Sequence, residues 1–450
     1  MKQATVTTAA LREAKRFDAK YFTSDGWSLR SFLRTAGTTL RAIAGKGGIG
    51  AVEAPPRFKR VYAAPTEASV PYLRSYDVFE YLPPAADHLA AQSQTSIKPY
   101  RIEEGLILQT CSGRNLGPLT IADEYLSGFV LSHDMLRIAI DDEALRYYVL
   151  GFLRSASGQR LLRGDDSGSV VNHLTPTHVS ELTLPIFDCA VDQVAGLVKD
   201  AFTTRAAARR TLADTIASVD QAFPVPRLKS RSLGWGVTAS ALNGRLDAAY
   251  HDPVVAEARS LLSGAGGVAI GDAATVRKPA GRYKTAYVRR HEGLPLLSGR
   301  QLLQADVVAL KYLSRGAIAN PGDYALGLHD VCFQADGRAE ENLGTPVCIN
   351  SARQGWLASG HVARVRALDP AEAGWLWAAI ASPIVQYQIA ALAAGSVVDA
   401  LYEDDVAGVL LPPPDRIDSA AVVAAWEAFA RAEELEAQAR VLIEDLIPAK

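Results

Sequence analysis

The chain is short of net charge, of cysteine and of any recognisable catalytic motif, and each shortage narrows what it can do. Its 47 Lys and Arg against 49 Asp and Glu leave a formal net charge of −2, so it is no polybasic coat for nucleic acid. Contact with DNA would need local basic patches. The four cysteines, Cys111, Cys189, Cys332 and Cys348, form no CxxC pair and match no zinc spacing, as expected of reduced thiols in a cytosolic protein. The first residues, MKQATVTTAALREAKRF, lack an apolar core of signal-peptide length, and cytoplasm is the expected compartment. Residues 375–394 are apolar for a membrane-like length, but Ser382, Pro383, Gln386 and Gln388 interrupt them. A packed helix is the expected outcome.

Catalytic signatures are equally scarce. GKGGIG at 45–50 and GAGGVAIG at 264–271 have the look of phosphate loops, yet Lys46 precedes Gly47 rather than Ser or Thr, and no buried apolar strand leads into either. Mobile loops between repeated blocks are expected there. The proline pairs fall in EAPPR, YLPPA and LPPPD, so no NPPY-type or DPPY-type loop exists to methylate an exocyclic amine, and no S-adenosylmethionine site or other cofactor is expected. His173 and His178 in NHLTPTH are five apart, off a single helical face and without nearby cysteines or carboxylates, so no metal site is expected. GxSxG is absent, as is any nuclease-like grouping of Asp, Glu and Lys.

What is present is a duplication. Arg16, Asp18, Ala19 and Tyr21 return as Arg245, Asp247, Ala248 and Tyr250, 229 positions on. Arg57, Lys59 and Tyr62 return as Arg282, Lys284 and Tyr287 at an offset of 225, and Pro71 and Gly113-Arg114 as Pro295 and Gly337-Arg338 at 224. Inserted Ala339, Glu340 and Glu341 move the frame to 227. It holds there through Asn115-Leu116-Gly117 and Asn342-Leu343-Gly344, Ser155 and Ser382, Gln159 and Gln386, and GSVV at 168 and 395. An ordered series at nearly constant period means a whole domain written twice.

Each half reads as a polar lead-in, short mixed strands with Gly and Pro turns, and a helix after Asp141-Asp142-Glu143 or Asp369-Pro370-Ala371-Glu372. A strand-like exit at 182–187 or 409–411 follows. Then comes a long helical stretch with apolar residues at threes and fours: Val191, Val194, Val198, Phe202, Leu212, Ile216, Val219 and Phe223 in the first, and Val422, Trp426, Phe429, Leu435, Leu442 and Leu446 in the second. Neither stripe can stay in water at ~1.5–3 kcal/mol per large side chain. The two helices are expected to pack antiparallel, as spacers ~50 Å long at ~1.5 Å per residue. The fold class is mixed α/β with domains over 1–188 and 229–415, a central helix over 189–228 and a C-terminal helix over 416–450.

Basic residues gather at the same place in each half. Arg277, Lys278, Arg282, Lys284, Arg289 and Arg290 fall within fourteen residues without an acid, interleaved with Tyr283 and Tyr287, and the partner stretch holds Arg57, Lys59 and Arg60 beside Phe58 and Tyr62. Such a run is either a solvated face or a phosphate-contacting surface. Arg114 and Arg338, each after Gly, are similar candidates, or simply members of a hairpin.

In order and in duplicate, these blocks resemble the specificity subunit of type I restriction-modification systems. The resembling stretch runs from VPYLRSYDV through EGLILQTCSGRNLGPLTIADEYLSGFVLSHDMLRIAI, YYVLGFLRSASGQRLL and GSVVNHLTPTHVSELTLP to the following helix, and again through LPLLSGRQL, ADGRAEENLGTPV, LWAAIASPIVQYQIAALAAGSVV and VLLPPP. The resemblance implies two target recognition domains, each reading one half of a bipartite asymmetric site on double-stranded DNA, with the helices setting the unread gap. It also implies partner DNA adenine methyltransferase subunits, two of them, that supply catalysis, with a restriction nuclease or translocase joining in some systems; this chain itself is not expected to be an enzyme. The central segment ending at FPVPRLKSRS departs from the family's helices.

Residues that differ within a preserved frame are candidates for reading bases: Gln92, Gln94, Thr95 and Lys98 in the first half, and Lys311, Tyr312, Ser314, Arg315 and Asn320 in the second. Rival readings are an autonomous DNA-modifying enzyme and a defence-complex scaffold that reads no DNA.

Overall fold

The computed structural model describes residues 3–447 except 4, 15–16, 18, 24–26, 28, 31, 34–36, 46–50, 66–67, 85–86, 92–95, 113–114, 165–172, 228–233, 243, 280–285, 319, 339–340 and 396–397. The fold is mixed α/β, and the chain divides into two units. Unit 1 comprises Met1–Phe79, Pro83–Ala206 and Arg431–Lys450; unit 2 comprises Glu80–Leu82 and Ala207–Ala430.

Unit 1 holds a four-stranded antiparallel sheet in the order Val52–Glu53, Met135–Ile138, Ile107–Thr110, Leu119–Ile121. A second sheet has Ser69–Leu73 between Asp87–Ala90, antiparallel, and Val130–Leu131, parallel. A two-stranded pair joins Gly37–Thr39 to Thr183–Pro185. Unit 2 repeats this plan. Its first sheet runs Ala274–Arg277, Val362–Ala367, Val331–Gln334, Val347–Cys348, its second Tyr287–Val288, Lys311–Ser314, Gly293–Leu297, Leu357–Ala358, and its pair Val268–Ala269 with Leu410–Leu411.

The duplication extends to single-residue register. Pro71 faces His88 as Pro295 faces Tyr312, Tyr72 faces Val130 as Leu296 faces Leu357, and Leu108 faces Arg137 as Cys332 faces Arg364. These are the 224 and 227 frames of the sequence, with the three-residue insertion taken up between Asp336–Gly337 and Val347–Cys348. A slip of one residue would turn each strand's apolar set to the wrong face, so shared register requires shared patterning.

Side-chain anchors repeat too. The Gln159 amide donates to the carbonyls of Gly117 (2.9 Å) and Leu153 (2.8 Å), and the Gln386 amide to those of Gly344 (3.0 Å) and Ile380 (2.8 Å). Both accepting glycines have positive φ, 106° and 78°, which only glycine adopts without strain. The Tyr148 hydroxyl donates to the Pro185 carbonyl where the Trp375 indole donates to Pro412.

The expected helix after Asp142 spans Glu143–Arg154, with the Asp142 carboxylate accepting from Leu145 N at 2.8 Å as its N-cap. In unit 2 the expected single helix over 375–394 is two helices, Ala373–Ala381 and Pro383–Leu392, bent by 72°. Ser382 is extended and Pro383 is the first residue of the second helix, a position proline suits, but the break does not need it: unit 1 breaks at the matching Ser155, where Ala156 opens Ala156–Gly164. Both helices are largely buried in the unit 2 core. Among the described residues no single helix is long and apolar enough to cross a membrane.

GAGGVAIG is ordered, not the mobile loop expected. Gly266 carries φ +80° at the end of Pro253–Gly264, and Gly267 lies so close to the carbonyls of Leu262 and Leu411 that a Cβ would sit 2.7 Å from each. The chain then enters the strand pair at Val268. GKGGIG, at 45–50, lies outside the described residues apart from Gly45.

The long stretches form helices at Asp188–Ala222 and Ser419–Leu446, about 52 and 42 Å at ~1.5 Å per residue. Each contributes one end to each core. In unit 1, Ala190, Val194 and Val198 pack with Ala439 and Ile443; in unit 2, Leu212, Val219 and Phe223 pack with Val422, Trp426 and Phe429. Within unit 1 the two run antiparallel, since Val194 and Val198 lie with Ile443 around Gly151 while Arg205, farther along, reaches Glu436 at 3.2 Å. Arg154 grips the same carboxylate at 3.0 and 2.9 Å, so one buried acid ties three elements.

Candidate nucleic-acid interface

In unit 1 the basic stretch is an extended segment held by its aromatic residue. The Phe58 ring lies 4.0 Å from that of Tyr100, which in turn donates its hydroxyl to the Pro56 carbonyl at 2.9 Å. Phe58, Tyr72, Leu89, Tyr100, Val130 and Ile97 form a small satellite core over the second sheet. With Phe58 turned in, Arg57, Lys59 and Arg60 stay exposed. Arg60 lies 5.8 Å above the Tyr72 ring, and a hydrogen bond with Tyr62 raises its guanidinium above the ordinary arginine value. Lys98, exposed between Ile97 and Tyr100, flanks the same platform. His133 stacks edge-on to Phe58 at 6.2 Å, and burial lowers its pKa, so at neutral pH it adds aromatic surface rather than charge.

The structure therefore brings Arg57, Lys59, Arg60 and Lys98 around one aromatic cluster. Gln92, Gln94, Thr95 and Arg114 lie outside the described residues.

In unit 2 the candidates occupy separate places. Arg277 is exposed on the edge strand of the first sheet. Lys278 follows it, but its ammonium is held by Asp336 at 2.6 Å, which also binds His361 at 2.7 Å, so much of its charge is compensated within the protein. Arg282 and Lys284 lie outside the described residues. Arg289 and Arg290 are exposed at the turn after Tyr287–Val288, and Arg315 is exposed just past Lys311–Ser314 in the same sheet. Lys311 sits 4.7 Å over the Tyr287 ring. Strand alternation puts Lys311 on one face of that sheet and Tyr312 and Ser314 on the other, so they cannot act as one set. Asn320 is exposed before the turn Pro321–Asp323, and Arg338 is exposed beside Asp336–Gly337.

The common register shows where the two surfaces differ. At the place of Asp87, which binds Arg74 at 2.9 Å, unit 2 has Lys311; at the place of His88 it has Tyr312; at the place of Glu53 it has Arg277. Two of the three changes turn an acid into a cation on an unchanged backbone.

The sequence reading missed a pair of buried arginines. Arg137 and Arg364 stand at matching positions in the first sheets, Arg137 donating to the carbonyl of Tyr100 and Arg364 to that of Asp323. Burial lowers the pKa of both. Their signal was MLRI aligned on VARV in the 227 frame. His173 bridges to Ser112 in an isolated β-bridge and His178 sits in the short helix Pro176–Ser180.

No family model matches the chain, and no curated protein matches it. Among solved structures it is similar to the type I restriction-modification S subunit from M. genitalium, at 9% identity over 92% of this chain and 96% of that one, with a TM-score of 0.28. It is likewise similar to the HsdS subunit from Thermoanaerobacter tengcongensis, at 14% identity over 91% and 96%, TM-score 0.27. A third similarity is to a chain from a structure concerned with complex assembly and conformational transition of the type I R-M system, at 16% identity over 91% and 96%, TM-score 0.28. Superpositions this loose carry no weight for function, which rests on the chain's own residues.

Proposed function

We propose that the chain is a non-catalytic DNA-reading subunit whose two units each read one half of a split, asymmetric site for partner methyltransferase subunits. The observation that supports this most is duplication in register with divergence at chosen places. A scaffold copied twice and altered at Glu53 and Arg277, Asp87 and Lys311, and His88 and Tyr312 suits two related readings rather than one. Phosphate contacts are assigned to Arg57, Lys59 and Arg60 in unit 1 and to Arg277, Arg289, Arg290 and Arg338 in unit 2, with Arg114, Arg282 and Lys284 as further candidates from the repeat. Base reading is assigned to Lys98, Arg315 and Asn320 and to Tyr312 and Ser314 on one face of their strand, with Lys311 on the other face, and Gln92, Gln94 and Thr95, as further candidates. We take the two recognition domains as 1–188 and 229–415, with helices over 189–228 and 416–450, and the working compartment as the cytoplasm.

Methylome sequencing of cells with and without the gene is the direct test. Loss of methylation at one bipartite motif supports the reading, and an unchanged methylome in cells that express the chain and an adjacent adenine methyltransferase refutes it. Purified chain incubated with S-adenosylmethionine and DNA should neither methylate nor cut; robust activity there would establish an autonomous enzyme instead.

A further inference from the structure

Unit 2 contains a cavity of about 490 Å³ whose lining includes Arg277, Arg364, Arg366, Asp323, Asp330 and Glu403. Its charges are unevenly satisfied. Arg366 is taken up by Asp330 in a bidentate pair at 2.7 and 2.8 Å. Glu403 accepts from the backbone N–H of Lys278. Arg364, only 9% exposed, donates through Nη1 to the Asp323 carbonyl, while its Nε and Nη2 find no acceptor among the described residues. Arg277 is directly opposite Arg364 on the neighbouring strand and makes no ion pair among the described residues.

Two guanidiniums facing one another across a strand pair repel, and a buried guanidinium with idle donors is costly. The fold does not demand this arrangement, because unit 1 has Glu53 opposite Arg137 at the same register. With Asp330 engaged by Arg366, an anion from outside the chain would balance it. Two adjacent guanidinium forks suit a compact tetrahedral oxyanion, and a phosphoryl group supplies one: three acceptor oxygens and up to two charges in a monoester, two non-bridging oxygens and one charge in a backbone diester.

We propose that this cavity is a phosphoryl-binding site held by Arg364 and Arg277. The phosphoryl group comes either from a DNA backbone or from a free phosphate or phosphomonoester, and the site stands whether or not the chain reads sequence.

The test uses the full chain in chloride buffer at constant ionic strength, with inorganic phosphate as probe, followed by thermal melting and by ³¹P line width. Phosphate should raise the melting temperature of the wild type and broaden its line. Arg364→Gln and Arg277→Glu should each weaken this binding about tenfold or more, the loss expected for a charge-assisted hydrogen bond. Arg277→Glu restores the pairing of unit 1, so it should fold, and in phosphate-free buffer it should melt no lower than the wild type. Equal protection of wild type and Arg277→Glu, or none of the wild type, would overturn the site. If phosphate competes with a short duplex beyond a chloride control, the backbone is the source; if both bind together, a free phosphate is.

Discussion

Arg137 and Arg364 are the same residue of the repeat set in opposite electrostatic surroundings: Arg137 faces Glu53 across its strand pair and Arg364 faces Arg277. Everything that positions the two is shared, from strand register to a carbonyl acceptor in the segment at Tyr100 or Asp323. What differs is one exposed side chain on an edge strand. Divergence at the rim over constancy beneath is the pattern a duplicated reader would need.

Glu53→Arg transplants the unit 2 arrangement into unit 1 and should destabilise the chain by about 1 kcal/mol or less. Cross-strand like charges cost roughly that much, and Glu53 is exposed, so solvent screens the effect. Denaturant melts at low and high salt check this, with the difference expected to shrink as salt rises.

Much of the fold was legible because it was written twice. The 224 and 227 frames carried strand register, and Asp142 and Pro370 announced helices where they occur. The bend at Ser382 was less visible, since Pro383 can open a helix as readily as end one, and only packing decides. The order in GAGGVAIG was hidden because its glycines serve close backbone approach at Gly267, not looseness. The candidate interface was legible as a basic stretch beside aromatics. Which residues face in was not: Phe58 anchors on Tyr100, 42 positions away, and Lys278 is bound to Asp336, and neither pairing leaves a local trace.

Glu436→Ala should be among the most destabilising single changes in unit 1. Its carboxylate is 6% exposed and receives Arg154 and Arg205, themselves 12% and 7% exposed. Removing it takes a shared carboxylate from two largely buried guanidiniums, at a cost of about 3–5 kcal/mol. Glu436→Gln, which keeps hydrogen-bond acceptance, should lose less. Urea unfolding of both variants gives the comparison, and equal losses would mean that packing rather than charge is responsible.

Tyr148 should make stability fall at alkaline pH. Burial pushes its phenol up to about 12 from an ordinary value of 10.0, so the folded state holds its proton where the unfolded chain releases it. The resulting stability, about 2–3 kcal/mol by linkage, is complete below pH 10 and lost as pH rises toward 12. The buried thiols Cys332 and Cys348 are pushed up as well, so the informative quantity is the difference from Tyr148→Phe. That variant should lose about 1 kcal/mol at neutral pH with the Pro185 hydrogen bond, and the gap should close and reverse above pH 10. A constant gap through that window would contradict the assignment.

Replacing Arg57, Lys59 and Arg60 together by Ala should weaken binding to all DNA sequences about equally. If all three touch phosphates, the slope of log affinity against log salt falls by roughly three units, near 0.9 for each lost contact. Phe58 keeps the segment anchored, so the variant should fold. A loss confined to the cognate site, with nonspecific binding and salt slope unchanged, would mark these residues as base readers instead.

The helices should act as a ruler for the gap between half-sites. Asp188–Ala222 passes from unit 1 to unit 2 at Ala206, and Ser419–Leu446 passes from unit 2 to unit 1 at Ala430, so lengthening requires matched insertions after both. One four-residue turn in each adds ~6 Å and ~40° of rotation, given ~1.5 Å and ~100° per residue. Inserting in only one helix would make the two connections between the units unequal in length and should cost stability without a clean change in spacing. With both lengthened, methylated sites should keep both half-sites while the unread gap grows by about one to two base pairs at ~3.4 Å per step. Methylome sequencing reads the gap directly. An active double insertion that still modifies sites at the original spacing would refute the ruler, because the core contacts at each helix end, Val194 in unit 1 and Val219 in unit 2, are untouched by it.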